Sequence, residues 1–465
     1  MAMGKRRIES QGELWVSARS IAATPGHPFY RRLNALLDKH GFDAFAESAC
    51  RPYYAEVMGR PSIPPGVYFR MLMVGYFEGL DSERGICWKV ADSRSLGEFL
   101  GFKPTESTPT HVCLGKTRNR LPVEVHQEIF THVLSILSKE GLLKGKTLGI
   151  DATTLEANAA LRSIVRKDTG DDYQEYLKKL AIESGLETPT KEELIRFDRS
   201  RKDKKTSNDD WRHPHDPDAR IGKLKDGSFG MLHKCEAATD LDSGAVLSVT
   251  MNHGDLGDTT TVIGTLDAAK SNLASTVSGD EESGKNPTDV FASEVVADKG
   301  YHASDCLAFF LVEGVRTYIS EPERGRRNWQ GKESERELVY ANRRRIRGER
   351  GKRLFRKRAE HCERNFAHLF NSGGMRRTHL RTHAKITKRL LVHVCGFNLG
   401  LVMRKLFGKG TPRGLADAMA TVFALILTLI MNFTNRWRLA GNIRSFFAKS
   451  GDDFQNSLCH RFNVM

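Results

Sequence analysis

Three acidic residues stand out for the chemistry their side chains could do: Asp151 in KTLGIDATTLEAN, Asp298 in FASEVVADKGYHA and Glu363 in RKRAEHCERNFAHLF. Two aspartates at strand ends and one glutamate on a later helix make an oxygen-only donor set, which suits hard divalent cations such as Mg2+. An isolated Asp after a strand is ordinarily a turn or helix cap, and a Glu among arginines is ordinarily half of a surface ion pair. The surroundings of these three favour a joint site.

Leu148, Gly149 and Ile150 lead into Asp151 as a short apolar run, and Val290, Phe291, Val295, Val296 and Ala297 lead into Asp298, with Gly300 just beyond. Both read as buried strands that end in a carboxylate. Between them, MLHKCEAATDL and AVLSVTM flank Asp242, Ser243 and Gly244, the pattern of a β-hairpin closed by a tight turn. Residues 258–269 predict a helix capped by Asp258 or Thr259, and residues 312–320 a fifth strand. Strand, hairpin, helix and strand in this order predict an α/β, ribonuclease H-like mixed sheet with flanking helices. Glu360 competes with Glu363 for the third position. At about 100° per residue, Phe355, Ala359, Cys362, Phe366 and Leu369 form one apolar stripe, with Glu363 at its edge and Glu360 on the solvent side.

In this order and context the motifs make the chain resemble a DDE transposase of the bacterial insertion-sequence type, over most of residues 28–405. The carrying motifs are D-x-T at Asp151-Ala152-Thr153, A-D-[KR]-G-Y at Ala297-Asp298-Lys299-Gly300-Tyr301, and E-x-x-F-[GA] at Glu363 to Ala367, followed by Gly-Gly-Met-Arg-Arg at Gly373 to Arg377. The chain departs from a related Tyr-Arg-Glu-Lys signature, having Phe355 for the Tyr and Phe370 for the Lys; Arg358, Arg376 and Arg377 are the local candidates for gripping phosphate. The resemblance implies that Asp151, Asp298 and Glu363 are catalytic and hold two Mg2+ ions, with Mn2+ able to substitute, and that Asp151 bridges the two. It implies cleavage and strand transfer of double-stranded DNA without a covalent protein intermediate, the partners being terminal inverted repeats and target DNA, with a homodimer in the DNA complex. Its rivals are a catalytically silent, transposase-derived DNA-binding protein and a ribonuclease H-like nuclease without strand transfer.

Net charge agrees with a polyanionic partner: +15, with a pI near 9.4. Residues 343–358 hold ten Lys or Arg against one acid, and Arg343, Arg344 and Arg345 open this run as a candidate phosphate track. Residues 26–140 read as a helical DNA-binding or dimerisation domain that resembles the front module of the same transposases, through Gly59-Arg60-Pro61 and Thr108-Pro109. Lys116, Arg118 and Arg120 sit on its last short helix, as in a helix-turn-helix, with a dimerisation bundle as the rival. The catalytic domain is expected over 141–410, with insertions at 158–226 and 321–341. Trp329 lies in the second insertion, where the resemblance implies an aromatic that stacks on a flipped base, against the ordinary expectation that an indole packs back onto its domain.

Residues 1–25 read as a flexible segment and 411–465 as a helical tail. Residues 418–433 are apolar but shorter than the roughly 20 residues a bilayer requires, so a buried helix and no membrane are expected. Eight cysteines without a Cys-x-x-Cys pair read as reduced thiols of a cytoplasmic, nucleoid-associated protein. His111-x-Cys113 and His393-x-Cys395 lack a second ligand pair at finger spacing, and His213-Pro-His215 reads as loop rather than ligand.

Overall fold

The computed structural model describes residue 3 and residues 26–414, apart from 58, 60, 203–206, 225–226, 278–291, 324 and 326. The expectations for 1–25, for Arg60, for Val290 and Phe291 and for the apolar stretch at 418–433 lie outside the described residues.

A mixed sheet organises the chain from residue 147 to residue 319. Its strands are β1 (Thr147–Glu156), β4 (Arg220–Lys223), β5 (Phe229–Asp240), β6 (Val246–His253), β7 (Glu294–Ala297) and β8 (Arg316–Ile319), in the order β4-β5-β1-β7-β8 with β6 also paired to β5. The short β2 (Val165–Arg166) and β3 (Trp211–Arg212) pair with each other inside the first insertion. β5 and β6 form the expected hairpin, turning through Gly244 at φ 79°, a conformation that favours glycine. β1 runs antiparallel to β5 and parallel to β7, and β7 parallel to β8. This combination of parallel and antiparallel strands with helical flanks is the ribonuclease H-like architecture.

Two expected boundaries move. β1 does not stop at Asp151 but continues to Glu156, because the twelve residues of β5 offer it partners as far as Glu156↔Leu232. The last strand is shorter than residues 312–320, since Val312 ends a helix and Gly314 turns the chain at φ 67° before Arg316.

The helices before the sheet are α1 (Pro28–Lys39), α2 (Phe42–Cys50), α3 (Pro65–Glu78), α4 (Glu83–Asp92), α5 (Arg94–Phe99), α6 (His111–Arg120) and α7 (Val123–Lys139). Sequence signals place their ends: Ser82 and Ser93 cap α4 and α5 by accepting the Gly85 and Leu96 amide protons, and Gly79 ends α3 at φ 69°. The first insertion adds α8 (Tyr173–Glu183) and α9 (Lys191–Ser200), the latter begun by the Thr190–Glu193 capping box. Next come α10 (Asp258–Val277), α11 (Ser304–Val312), α12 (Glu333–Arg347), α13 (Glu349–Arg358), the single turn α14 (Arg364–Phe366) and α15 (His383–Phe407). π-helical turns at Ala359–Glu363 and Ala367–Ser372 flank α14.

α15 is long and apolar enough to cross a membrane, yet it is a core helix, buried almost continuously from Ile386 to Met403 and packed on α3, α7 and β6. Each fully buried Leu, Val or Phe on it contributes roughly 1.5–3 kcal/mol, which fixes the helical layer to the sheet. The described residues 26–410 fall within one compact unit.

Candidate active site

The register of two parallel strands sets the site. Gly149 of β1 pairs with Val296 of β7, so Asp151 and Asp298, each two residues further on, emerge side by side. Asp298 leaves the sheet and caps the single 3-10 turn Lys299–Tyr301, its Oδ1 accepting the Gly300 amide proton at 2.9 Å. Asp151 stays within β1 and is more enclosed, with 19% of its side chain exposed against 45% for Asp298.

Arg358, the last residue of α13, lies between them. Its Nη2 is 3.0 Å from Asp151 Oδ1 and 3.8 Å from Asp298 Oδ2, and its Nε donates to the Ile150 carbonyl at 3.3 Å. A guanidinium here neutralises two carboxylates that would otherwise repel. Burial nevertheless pushes the Asp151 carboxyl up to about 6; Arg358 opposes that rise, and Asp298 and Asp258 add to it. A cation held between two aspartates is the arrangement expected of a divalent-metal site in which a side chain stands in for the ion, and oxygen donors alone suit Mg2+ or Mn2+.

Glu363 closes the π turn that follows Arg358. In a π turn five residues make about one circuit, so Glu363 returns toward the side of Arg358, whereas an α-helix would carry it well past. That turn lies on β1: a Cβ added to Gly149 would stand 3.0 Å from Cys362 Sγ. Burial, then Asp151 and, more weakly, Glu363 push the Cys362 thiol up to about 12, while Arg358 and Thr239 oppose them, so Cys362 lies within electrostatic reach of Asp151 and Arg358. The helical wheel that separates Glu363 from Glu360 does not hold through a π turn, and both are exposed. Pairing separates them instead. Glu360 is taken by Arg364 at 3.3 Å, while Glu363 has neither hydrogen bond nor ion pair among the described residues.

A polar network beneath the aspartates was missed by sequence reasoning. Lys234 Nζ contacts Asp258 Oδ1 at 2.6 Å and donates to Thr261 Oγ1 at 3.0 Å. Fully buried Glu236 accepts from Thr261 at 2.8 Å, Thr265 at 2.5 Å and Tyr301 at 2.8 Å, and burial raises its pKa. The available signal was a lysine and a glutamate alternating inside an otherwise apolar hairpin strand. The network also explains the A-D-K-G-Y motif: Tyr301 donates to Glu236, and a Cβ at Gly300 would collide with Asp258.

The basic candidates divide by whether their charge is already used. Arg118 is turned inward, ion-paired with Glu83 and 12% exposed, and Arg120 stacks on Tyr54 at 4.7 Å, so on α6 Lys116 is the exposed one of the three. Arg343 is bidentate to Glu321 at 2.6 and 2.8 Å, and Arg345 donates to Thr317 twice at 2.8 Å; Arg344 between them is exposed. The run 343–358 is thus two helices broken at Gly348, not one cationic rod. Arg376 is held on β1 by Thr153 Oγ1 at 3.1 Å, and Arg377, although 63% exposed, is ion-paired with Glu156 at 3.6 Å. Trp329 is half-buried, edge-on to Tyr340 with ring centroids 6.3 Å apart and Arg327 at 5.5 Å, which is the packed arrangement rather than a free indole.

Two family models match the chain. Residues 18–120 match one described as "Transposase domain (DUF772)" and residues 207–399 one described as "Transposase DDE domain". No curated protein and no solved structure matches.

Proposed function

We propose, from the premise that this chain belongs to the DDE transposases of insertion sequences, that it binds the terminal inverted repeats of its element and catalyses metal-dependent cleavage and strand transfer of double-stranded DNA. The observation that carries this reading is the Asp151–Arg358–Asp298 arrangement, with Asp151 within β1 beside Asp298 just past the end of the parallel β7, and unpaired Glu363 one π turn beyond the arginine.

In this account Asp151, Asp298 and Glu363 would together hold the divalent ions. Mg2+, or Mn2+ in its place, would supply Lewis-acid activation of the attacking and leaving oxygens of a phosphodiester. The protein's own contribution is placement. β1 and β7 fix the two aspartates, the Lys234–Asp258 and Tyr301–Glu236 contacts support them from below, and Arg358 holds the two carboxylates close together. Among the candidates, Lys116 and Arg344 are exposed and Arg377 is exposed in a surface ion pair with Glu156; all three would contact the DNA backbone, which sets position rather than sequence preference. Residues 26–140 act as the DNA-binding and dimerisation part and 141–410 as the catalytic part, in a homodimer assembled on DNA in the cytoplasm.

The test is incubation of the protein with DNA carrying the element's ends, in Mg2+ and in Ca2+. Nicking at the ends and joining to a target in Mg2+, with binding alone in Ca2+, supports the proposal. Binding without nicking in either ion refutes it.

A further inference from the structure

We propose that Asp218, His253 and His383 form a second metal site, for Zn2+, remote in sequence from the catalytic acids. The three come from separate segments: the loop before β4, the last residue of β6 and the first residue of α15. Their ligand atoms all lie within 4.8 Å of one another.

Each is held by a neighbour as metal-binding side chains commonly are. His253 Nδ1 lies 2.9 Å from the Asp218 carbonyl, to which it donates, leaving the Nε2 lone pair for an ion. Asp218 Oδ2 accepts the His383 backbone N–H at 2.8 Å, and Asp216 Oδ1 accepts that of Thr382 at 3.0 Å. Asp216 Oδ2 in turn accepts from His233 Nε2 at 3.3 Å, both side chains being fully buried.

One nitrogen of the cluster points independently to a ligand. His383 Nε2 is buried and has no hydrogen-bond partner; the neighbouring His233 Nδ1, outside the cluster, likewise has none. His233 faces His253 directly across the β5–β6 pair, and its ring centroid is 5.1 Å from that of His383. An unsatisfied buried polar group costs about 1–3 kcal/mol, a cost that coordination removes. Two imidazoles with one carboxylate fit the ligand preference of Zn2+ and not the all-oxygen preference of Mg2+, so the two sites select different ions. One group must yield: Arg220 Nη2 is 3.4 Å from His253 Nε2, and Asp255, 3.8 Å from Arg220 Nε, is the partner toward which it withdraws. The bound ion would staple the small apolar cluster of Trp211, Ala219, Ile221 and Met231 in and beside the first insertion to the start of the core helix.

The experiment uses chelator-stripped full-length protein, Zn2+ as the probe, isothermal titration for stoichiometry and thermal melting for stability. Wild type and His215→Gln, an exposed neighbour outside the site, should each bind one equivalent tightly and melt at higher temperature with Zn2+. His253→Gln and His383→Gln should weaken that binding by more than the ten- to hundredfold typical of losing a supporting group, and should lose the thermal response. Asp218→Asn, which keeps the size of the side chain and its bond to the His383 amide, gives the same reading if either histidine variant fails to fold. Unchanged zinc binding in these variants overturns the assignment. So does loss of zinc in Asp298→Asn alone, which would place the ion at the catalytic carboxylates; the zinc site itself does not depend on the transposase mechanism.

Discussion

Asp151→Asn should stabilise the metal-free protein while abolishing cleavage. The Asp151 carboxyl lies at about 6 instead of its ordinary 3.8. At 1.36 kcal/mol per pH unit, keeping it ionised in the folded chain costs about 3 kcal/mol at neutral pH, even with Arg358 beside it. The folded value is raised, so the carboxyl's contribution to stability is fully present below pH 3.8 and is lost as the pH climbs through about 6. An amide of the same shape never ionises and escapes that loss, although it neutralises Arg358 less well, which lowers the expected gain to roughly 1–3 kcal/mol. For a unit of this size that corresponds to a melting temperature higher by about 2–5 °C at pH 7.5, closing to near zero at pH 4. Scanning calorimetry of both proteins in EDTA across this pH range measures it. A variant that melts below wild type at pH 7.5, or a difference that does not vary with pH, would refute the reasoning that burial rather than ion pairing dominates at Asp151.

Glu363→Gln should lose cleavage and Glu360→Gln keep it, read by nicking of end-containing DNA; the opposite pattern would assign the third ligand to the residue now paired with Arg364. Removing the stand-in cation by Arg358→Gln should tighten Mn2+ binding by about tenfold in titration without DNA, because a unit charge about 4 Å from a divalent ion opposes it by about 2 kcal/mol even in water; weaker binding would show that Arg358 holds the carboxylates in place for the ion. Gly149→Ala should lower stability by about 1–3 kcal/mol and depress cleavage, since its Cβ would stand 2.6 Å from Leu241 and 3.0 Å from Cys362, forcing the Glu363 turn away from β1; wild-type melting and activity would show that the turn is not seated there.

Local patterns carried much of the fold. The hairpin around Asp242-Ser243-Gly244 and the run into Asp298 were legible because a two-residue period and a glycine turn are written within a few positions. The extent of β1 was not, since it depends on a partner strand about eighty residues away that happens to be long. Charge was legible and its use was not: Arg118, Arg343 and Arg345 look like neighbours of DNA until Glu83, Glu321 and Thr317 are placed against them. The choice of Glu363 rested on the E-x-x-F-[GA] motif and on an α-helical wheel; the π turn invalidates the wheel, and pairing now stands beside the motif in its place. The Asp218, His253 and His383 cluster had no motif to announce it, because its spacing exists only in the folded chain.

The most direct test of the account is single-turnover cleavage of end-containing DNA by wild type and Asp298→Asn in Mg2+, with DNA affinity measured in parallel in Ca2+. Equal affinity with cleavage abolished in the variant is the predicted result. Cleavage by Asp298→Asn at the wild-type rate would contradict it.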